Sequence, residues 1–208
     1  MMFNDRYGLT QAVISGRKTV TRRVIKDAWW PIYKIEAEEI KGDIIHVIAN
    51  NGKLVIERKC PYKIGEIVAV AQSYRNILDE LESNFFNKEH WEHGAQKRAE
   101  YAGMIYTPGY SNKMYVRADM MLHQIQIRDL RIERLQDISE EDCMKEGIYR
   151  DYGDTEFPPR EFYDYEGNNG NGFNTPRAAF ASLINKVSGR GTWDRNPFVW
   201  RIEFELVK

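Results

Sequence analysis

The sequence predicts an α+β fold in which short, mostly antiparallel strands form a small, partly open β-barrel with about three helices packed on it. Two observations carry most of this prediction: an Asn51-Gly52 pair between apolar runs, and an alternating apolar pattern over residues 198–206. Helical patterns with recognisable start and stop signals lie between the strands. The 208 residues can form one sizeable core, so we expect a single domain over 1–208.

The first two elements are predicted to be a short helix and a strand. Apolar residues at helical spacing indicate a helix over 9–15, and Gly16 is well placed to end it because glycine accepts the left-handed conformation. A strand is expected to begin near Val20.

A hairpin follows. The apolar runs 44–48 and 54–56 flank Asn51-Gly52, which supplies the positive φ angles of a type I′ turn. A buried strand is expected over residues 67–70.

The middle of the chain combines an insertion with a long strand pattern. Residues 75–112 are rich in charged and aromatic residues, and they contain helical patterns near 77–86 and 89–101. Apolar residues then alternate in two registers that differ by one residue, and a bulge or bend near Arg128-Asp129 would reconcile them.

The last third carries two helices, a loop and a strand. Ser139 is a predicted helix cap with Asp142 in the first turn, and Gly147 ends that helix. The polar segment 149–174 is expected to be a second insertion, in the form of a mobile surface loop. Thr175 and Pro176 start the next helix. Its predicted buried residues are Phe180, Leu183, Ile184 and Val187. In the final strand Val199, Arg201, Glu203 and Glu205 are expected to face away from the core.

The composition says more about the cellular compartment of the protein than about the ligand that it binds. The net charge is −1, so overall charge argues neither for nor against nucleic acid. Cys60 and Cys143 are far apart, which indicates free, buried thiols in a reducing compartment. We find no signal peptide and no apolar stretch of membrane-spanning length, so we expect a cytoplasmic protein without a membrane partner.

The most informative functional feature is a basic segment that bears hydroxyl groups. Residues 16–26 contain five cations and no acidic residue: Arg17, Lys18, Arg22, Arg23 and Lys26. Such a cluster can bind phosphate through charge and forked hydrogen bonds. Alternatively, these are solvated charges on an edge strand, where they discourage aggregation.

The spacing in this segment is more specific than its charge. The pattern Gly-x-Lys-x-x-Thr-x-Arg after a short helix resembles the signature of the ASCH domain, a family of PUA-like β-barrels that bind RNA or modified nucleosides. The matching residues are Gly16, Lys18, Thr21 and Arg22, with Arg23 beside them. Segments 62–70, 131–148 and 193–200 are also similar to the phage- and prophage-associated branch of that family, so the resemblance covers nearly the whole chain outside the two insertions.

The resemblance implies a possible activity. Some small ASCH proteins are amidohydrolases that remove the acetyl group of N4-acetylcytidine with a lysine, a threonine and a glutamate, and Lys18 and Thr21 match the first two. A desolvated lysine could take the proton of the threonine hydroxyl, and a carboxyl group would protonate the leaving amine. Gln72 stands where the glutamate is expected, and an amide cannot act as an acid. Lys18 and Thr21 can also cooperate only if a turn interrupts the strand between them.

Three hypotheses follow. The first is a binding module for RNA, a nucleoside or a nucleotide, with no cofactor and no metal. Its ligand-binding residues would be Arg17, Arg22 and Arg23 with Lys18 for phosphate or ribose, and Gln72, Ser73 and Tyr74 for the base. The second is an amidohydrolase of acylated pyrimidine nucleosides that uses Lys18 and Thr21. The third is a phage-associated accessory protein without a ligand.

Overall fold

The computed structural model describes residues 1–25, 35–41, 44–49, 54–83, 91–152, 161–170 and 172–207. The chain forms two compact units. Unit 1 comprises Met1–Phe3, Val68–Ile125 and Val207–Lys208, and unit 2 comprises Asn4–Ile67 and Gln126–Leu206. Both insertions named above fall within a unit: 75–112 within unit 1 and 149–174 within unit 2.

The largest sheet is antiparallel and curled like half of a small barrel, in a mixed α+β structure. Its strands have the order β1-β9-β6-β5. They span Val20–Val24 (β1), Phe198–Leu206 (β9), Gln124–Arg134 (β6) and Ile67–Ala69 (β5). The predicted strands near Val20 and over 198–206 are therefore confirmed.

A second sheet of unit 2 contains the predicted hairpin. Strands β3 (Ile44–Ala49) and β4 (Leu54–Lys59) pair antiparallel, as the sequence predicted, while the turn residues Asn51 and Gly52 lie outside the described residues. Strand β2 (Ile35–Lys41) adds to the other side of β3, and the sequence pattern did not predict it.

The helices of unit 2 begin and end at the predicted signals. The predicted ones are α1 (Leu9–Ile14), α4 (Glu140–Lys145) and α5 (Pro176–Ser188), whereas the short helix α6 (Thr192–Arg195) was not predicted. The hydroxyls of Ser139 and Thr175 accept hydrogen bonds from backbone N–H groups three residues later, which is the geometry of an N-cap. Gly16 and Gly147 follow α1 and α4 with positive φ angles of 73° and 105°.

Unit 1 contains the two helices predicted within the first insertion. Helix α2 spans Tyr74–Ser83 and helix α3 spans Trp91–Ala102. A compact apolar cluster holds them together with the segment that precedes β6. Its fully buried members are Tyr74, Ile77, Tyr101, Met120 and Met121.

The prediction of an irregular loop over 149–174 is wrong in part. Strands β7 (Tyr149–Tyr152) and β8 (Glu161–Asp164) form an antiparallel pair, and Tyr163 bridges to Phe173. Tyr165 is fully buried and its hydroxyl bonds to Ser182 of α5. The segment was misjudged because it lacks an apolar alternation: its strands are exposed except near Asp164 and are anchored by one buried ring.

Three other burial predictions need correction. Ile67 in β5 is 58% exposed, although the strand was expected to be buried, and Val187 of α5 is also exposed. In β9, Val199 and Arg201 are buried although they were expected to face away from the core. The phase shift in β6 is confirmed: Ile125, Ile127, Leu130 and Ile132 are all buried within one continuous strand.

Two expectations about the whole chain concern the cysteines and the membrane. Cys60 and Cys143 are free, buried thiols, as predicted. Burial raises the pKa of Cys143 to about 12, although the positive charge of Arg22 acts in the opposite direction. Among the described residues, no helix is both long enough and apolar enough to cross a bilayer.

Candidate functional site

A turn at Gly16 separates Lys18 from strand β1. The N–H of Lys18 bonds to the carbonyl of Ala12, and the N–H of Thr19 bonds to that of Lys145. These bonds hold the segment against the end of α1 and the end of α4 before β1 begins at Val20. The interruption that the sequence argument required is therefore present.

Lys18 is buried and all three of its N–H donors are used inside the protein. Lys18 as a whole is only 2% exposed. Nζ donates to the carbonyl oxygens of Val20 (2.8 Å) and Glu146 (2.9 Å) and to Oε2 of Glu146 (2.5 Å). Burial lowers the pKa of Lys18, and it does so although the Glu146 carboxylate acts in the opposite direction.

Arg22 contacts three carboxylates. Its Nε donates to Glu133 (2.6 Å), Nη2 to Asp142 (2.7 Å) and Nη1 to Glu146 (3.2 Å). Burial disfavours the charged guanidinium, but the carboxylates of Glu146 and Glu133 outweigh this effect and raise the pKa of Arg22. Lys18 and Arg22 therefore meet on the two oxygens of Glu146, inside unit 2.

Asp142 extends this cluster to the neighbouring strand. Arg22 on β1 and Arg201 on β9 lie directly opposite each other, an arrangement that is destabilising for two like charges. Oδ2 of Asp142 accepts from both, at 2.7 Å from Arg22 and 2.9 Å from Arg201. We call Lys18, Arg22, Glu133, Asp142, Glu146 and Arg201 the buried charge cluster.

The remaining residues of the basic segment lie elsewhere in unit 2. Side chains alternate along a strand, so Thr21 and Arg23 lie on the face of β1 opposite to Arg22. Thr21 is buried there. Arg17 bonds to Glu166 (2.9 Å) and to the carbonyl of Gly147 (3.2 Å), and its guanidinium lies over the Tyr149 ring.

A pocket of about 610 Å³ lies beside the segment that precedes β5. Its lining residues are Lys59, Cys60, Pro61, Lys63 and Glu66. Burial raises the pKa of the hydroxyl of Tyr62, and the positive charge of Arg23 opposes this rise. This concave surface of unit 2 thus carries two lysines and one glutamate.

Gly147 sets the geometry around Lys18, and its substitution gives a test of the local structure. We expect Gly147→Ala to lower the free energy of unfolding by about 2 kcal/mol, because L residues are disfavoured at positive φ and the new Cβ would lie 3.2 Å from Leu9. Gly189 has nearly the same φ, 103°, with nothing within 4 Å. Chemical denaturation of Gly189→Ala therefore measures the φ cost alone, and equal losses in the two variants would contradict the predicted crowding.

Gln72 and its partners form a second polar group, in unit 1. The Gln72 residue is 4% exposed, its backbone N–H contacts the sulfur of Met121 (3.2 Å), and its Nε2 donates to Oε2 of Glu80 (2.9 Å). The other carboxylate oxygen of Glu80 bonds to Nε2 of His123 (2.6 Å). The amide oxygen of Gln72 is buried and has no hydrogen-bond partner.

Ser73 and Tyr74 have structural contacts in the same unit. The hydroxyl of Ser73 accepts from the N–H of Asn76, so it caps α2. Tyr74 is 3% exposed, its hydroxyl accepts from the N–H of Arg117, and its ring packs near that of Tyr101. Neither side chain offers a free surface, so the proposed site does not include a base stacked on Tyr74.

Sequence reasoning missed the partners of both groups. Asp142 was predicted only as a residue in the first turn of α4, whereas in the structure two arginines bind it. Glu146 gave one usable signal: it follows the buried Cys143 by three residues, the spacing of one helix face. Glu80 and His123 gave no signal, since they are 43 residues apart in sequence.

The described residues show no metal site, and comparisons do not identify the chain. Among them, no three histidine, cysteine, aspartate or glutamate side chains are grouped closely enough to hold a metal ion. The basic segment and Gln72 lie in different units, and each group has its own internal partners. Comparison of the chain with protein-family models, with curated proteins and with solved structures gives no match.

Proposed function

We propose that the protein binds a nucleobase, presented either by a free nucleoside or by single-stranded RNA, and that the amide oxygen of Gln72 accepts a hydrogen bond from it. The resemblance to the ASCH domain and to PUA-like barrels supports this function and is part of the proposal. The observation that carries it is the buried, unpartnered oxygen of Gln72. The sequence argument had assigned the same residue to the base.

An unpaired buried acceptor is costly. A buried polar atom without a partner costs about 1–3 kcal/mol, and buried side-chain oxygens are therefore nearly always paired in native proteins. A ligand N–H that bonds to this oxygen would recover that free energy. Because the oxygen is covered, neighbouring side chains must move when a ligand arrives, and we expect binding to change amide exchange within unit 1.

The geometry favours binding over hydrolysis. Lys18 has no free donor and no free lone pair while it is bonded to Val20 and Glu146, so it is poorly placed to take a proton from Thr21. The amine of Lys18 shares Glu146 with Arg22, whereas Thr21 lies on the other face of β1. That the donors of Lys18 are taken up by Val20 and Glu146 supports binding over hydrolysis.

We expect Gln72→Leu to weaken nucleobase binding at least tenfold, which corresponds to the loss of about one hydrogen bond. Titration calorimetry with cytidine, adenosine, guanosine and uridine, and with single-stranded RNA oligomers, measures this loss. Gln126→Leu is the matched control, since the Gln126 amide bonds to the carbonyl of Gly65 in unit 2.

The possible results of these experiments distinguish the three hypotheses. Binding of RNA but not of nucleosides, with strong salt dependence, indicates that phosphate contacts are needed as well. Incubation with N4-acetylcytidine that releases cytidine would favour the amidohydrolase. The absence of any binding refutes the proposal and leaves the accessory protein without a ligand. Equal binding by Gln72→Leu and the unmodified protein refutes the role of Gln72 and indicates that the ligand binds elsewhere.

A further inference from the structure

The amide of Gln72 has a fixed orientation. A charged carboxylate only accepts hydrogen bonds, so the Gln72 side chain must turn its Nε2 towards Glu80, at 2.9 Å, and its oxygen away from it. His123 bonds to the other oxygen of Glu80 at 2.6 Å and restricts rotation of the carboxylate. The three residues form a chain in which each member defines the orientation of the next.

The charge of Glu80 makes this orientation stable. Burial acts to raise the pKa of the Glu80 carboxyl, but the hydrogen bonds from His123 and Gln72 outweigh burial and lower it. Glu80 is therefore ionised at neutral pH and has no proton to donate. If Gln72 turned its oxygen towards this carboxylate, two acceptors would face each other within a largely buried site.

We propose that Glu80 is a positioning residue that fixes the hydrogen-bonding polarity of the Gln72 site, so that the site selects ligands with an N–H donor, such as the amino groups of cytosine and adenine. This inference rests on the proposed nucleobase binding and adds its specificity. A site that offers only an acceptor rejects a ligand that also offers only an acceptor, because both atoms would remain unpaired.

Glu80→Gln removes this constraint without a large change in shape. The new amide can donate to the oxygen of Gln72, which allows the Gln72 amide to rotate by half a turn and present its N–H₂ group. The variant should then accept ligands that lack a donor. Glu82→Gln is the matched control, because Glu82 lies on the same helix and is exposed.

The experiment compares amino nucleosides with derivatives that have lost the donor. The ligand pairs are cytidine with N4,N4-dimethylcytidine, and adenosine with N6,N6-dimethyladenosine. We expect the unmodified protein and Glu82→Gln to prefer the donor-bearing member about tenfold, and Glu80→Gln to lose most of that preference. The methyl groups impose the same steric cost on every variant, so the change in the ratio reports the polarity of the site.

A second variant and a spectroscopic signal keep the test decisive. His123→Asn shortens the side chain that holds Glu80, and it should reduce the preference in the same direction by a smaller factor. The Gln72 side-chain amide resonances should shift in Glu80→Gln and stay unchanged in Glu82→Gln. An unchanged ratio in a folded Glu80→Gln, with binding still dependent on Gln72, overturns this inference and leaves the proposed function intact. If neither a nucleoside nor single-stranded RNA binds the unmodified protein, both are refuted.

Discussion

Glu146→Ala is expected to lower the free energy of unfolding by about 3–5 kcal/mol, which makes it the most damaging single change in unit 2. The carboxylate is almost fully buried and bonds to Lys18 through one oxygen and to Arg22 through the other. Its removal leaves Lys18 with two carbonyl oxygens as its only partners. A buried ammonium group without a counter-ion is the origin of the cost. Urea denaturation followed by circular dichroism measures it.

A double substitution separates the charge from the packing. Lys18→Met with Glu146→Leu removes both charges and fills a similar volume, and we expect it to recover most of the lost stability, because apolar replacements of buried ion pairs are often neutral. Glu205→Ala is the control for an exposed pair, since Glu205 and Arg128 are both solvated, and it should change nothing measurable. A double variant as unstable as Glu146→Ala would show that the ion pair is not the source of the effect.

Local signals in the sequence predicted the boundaries of elements well. Ser139 and Thr175 cap their helices through bonds to N–H groups three residues away, and Gly16 ends α1, because each of these interactions is complete within a few residues. The hairpin of β3 and β4 is local for the same reason. Such features depend on backbone geometry and not on the rest of the fold.

Interactions between distant residues explain what the sequence could not predict. Arg22 meets Glu146 across 124 positions and Arg201 meets Asp142 across 59, so no spacing rule indicates that these charges are buried. The pattern of β9 suggested a solvated face for the same reason: Arg201 looks exposed until Asp142 covers it. The spacing within the basic segment drew attention to Lys18 and Arg22, but it did not indicate that their donors face inward.

Gln72 shows that the sequence can single out a residue without indicating the partners of its side chain. The sequence indicated that an amide replaces an expected carboxylate at this position, and it thereby predicted a binding role for the side chain. Only the structure shows that Glu80 fixes the amide and that its oxygen is left without a partner. The carboxylate that bonds to Lys18 belongs to Glu146, at the end of α4.

The second large effect is expected for Asp142→Asn, which should lower the free energy of unfolding by about 3 kcal/mol at pH 7. Asp142 is the shared anion between Arg22 and Arg201, which face each other across β1 and β9. Asparagine keeps the shape but carries no charge and offers one acceptor instead of two. The two guanidinium groups would then repel each other in a nearly buried place.

Asp142→Asn should also make the free energy of unfolding depend less on pH in the acidic range. Burial alone would raise the pKa of Asp142, but the hydrogen bonds from Arg201 and Arg22 outweigh it and hold this pKa well below its usual range. The folded state therefore binds this proton more weakly than the unfolded state, whose aspartate pKa is about 3.9. The stabilisation is complete above that pH and is lost as the pH falls below it. The difference between the unmodified protein and Asp142→Asn should accordingly shrink below about pH 4.

Glu141→Gln is the matched control for this experiment, because Glu141 precedes Asp142 on α4 and is exposed. It should change neither the stability at pH 7 nor its decline in acid. Denaturant midpoints measured in steps between pH 7 and pH 2.5 give both quantities for the three proteins. A constant difference between the unmodified protein and Asp142→Asn at every pH would show that Asp142 acts through shape and hydrogen bonding and not through its charge. A difference that narrows as the pH falls below about 4 would instead establish that the charge of Asp142 is what keeps two arginines buried side by side.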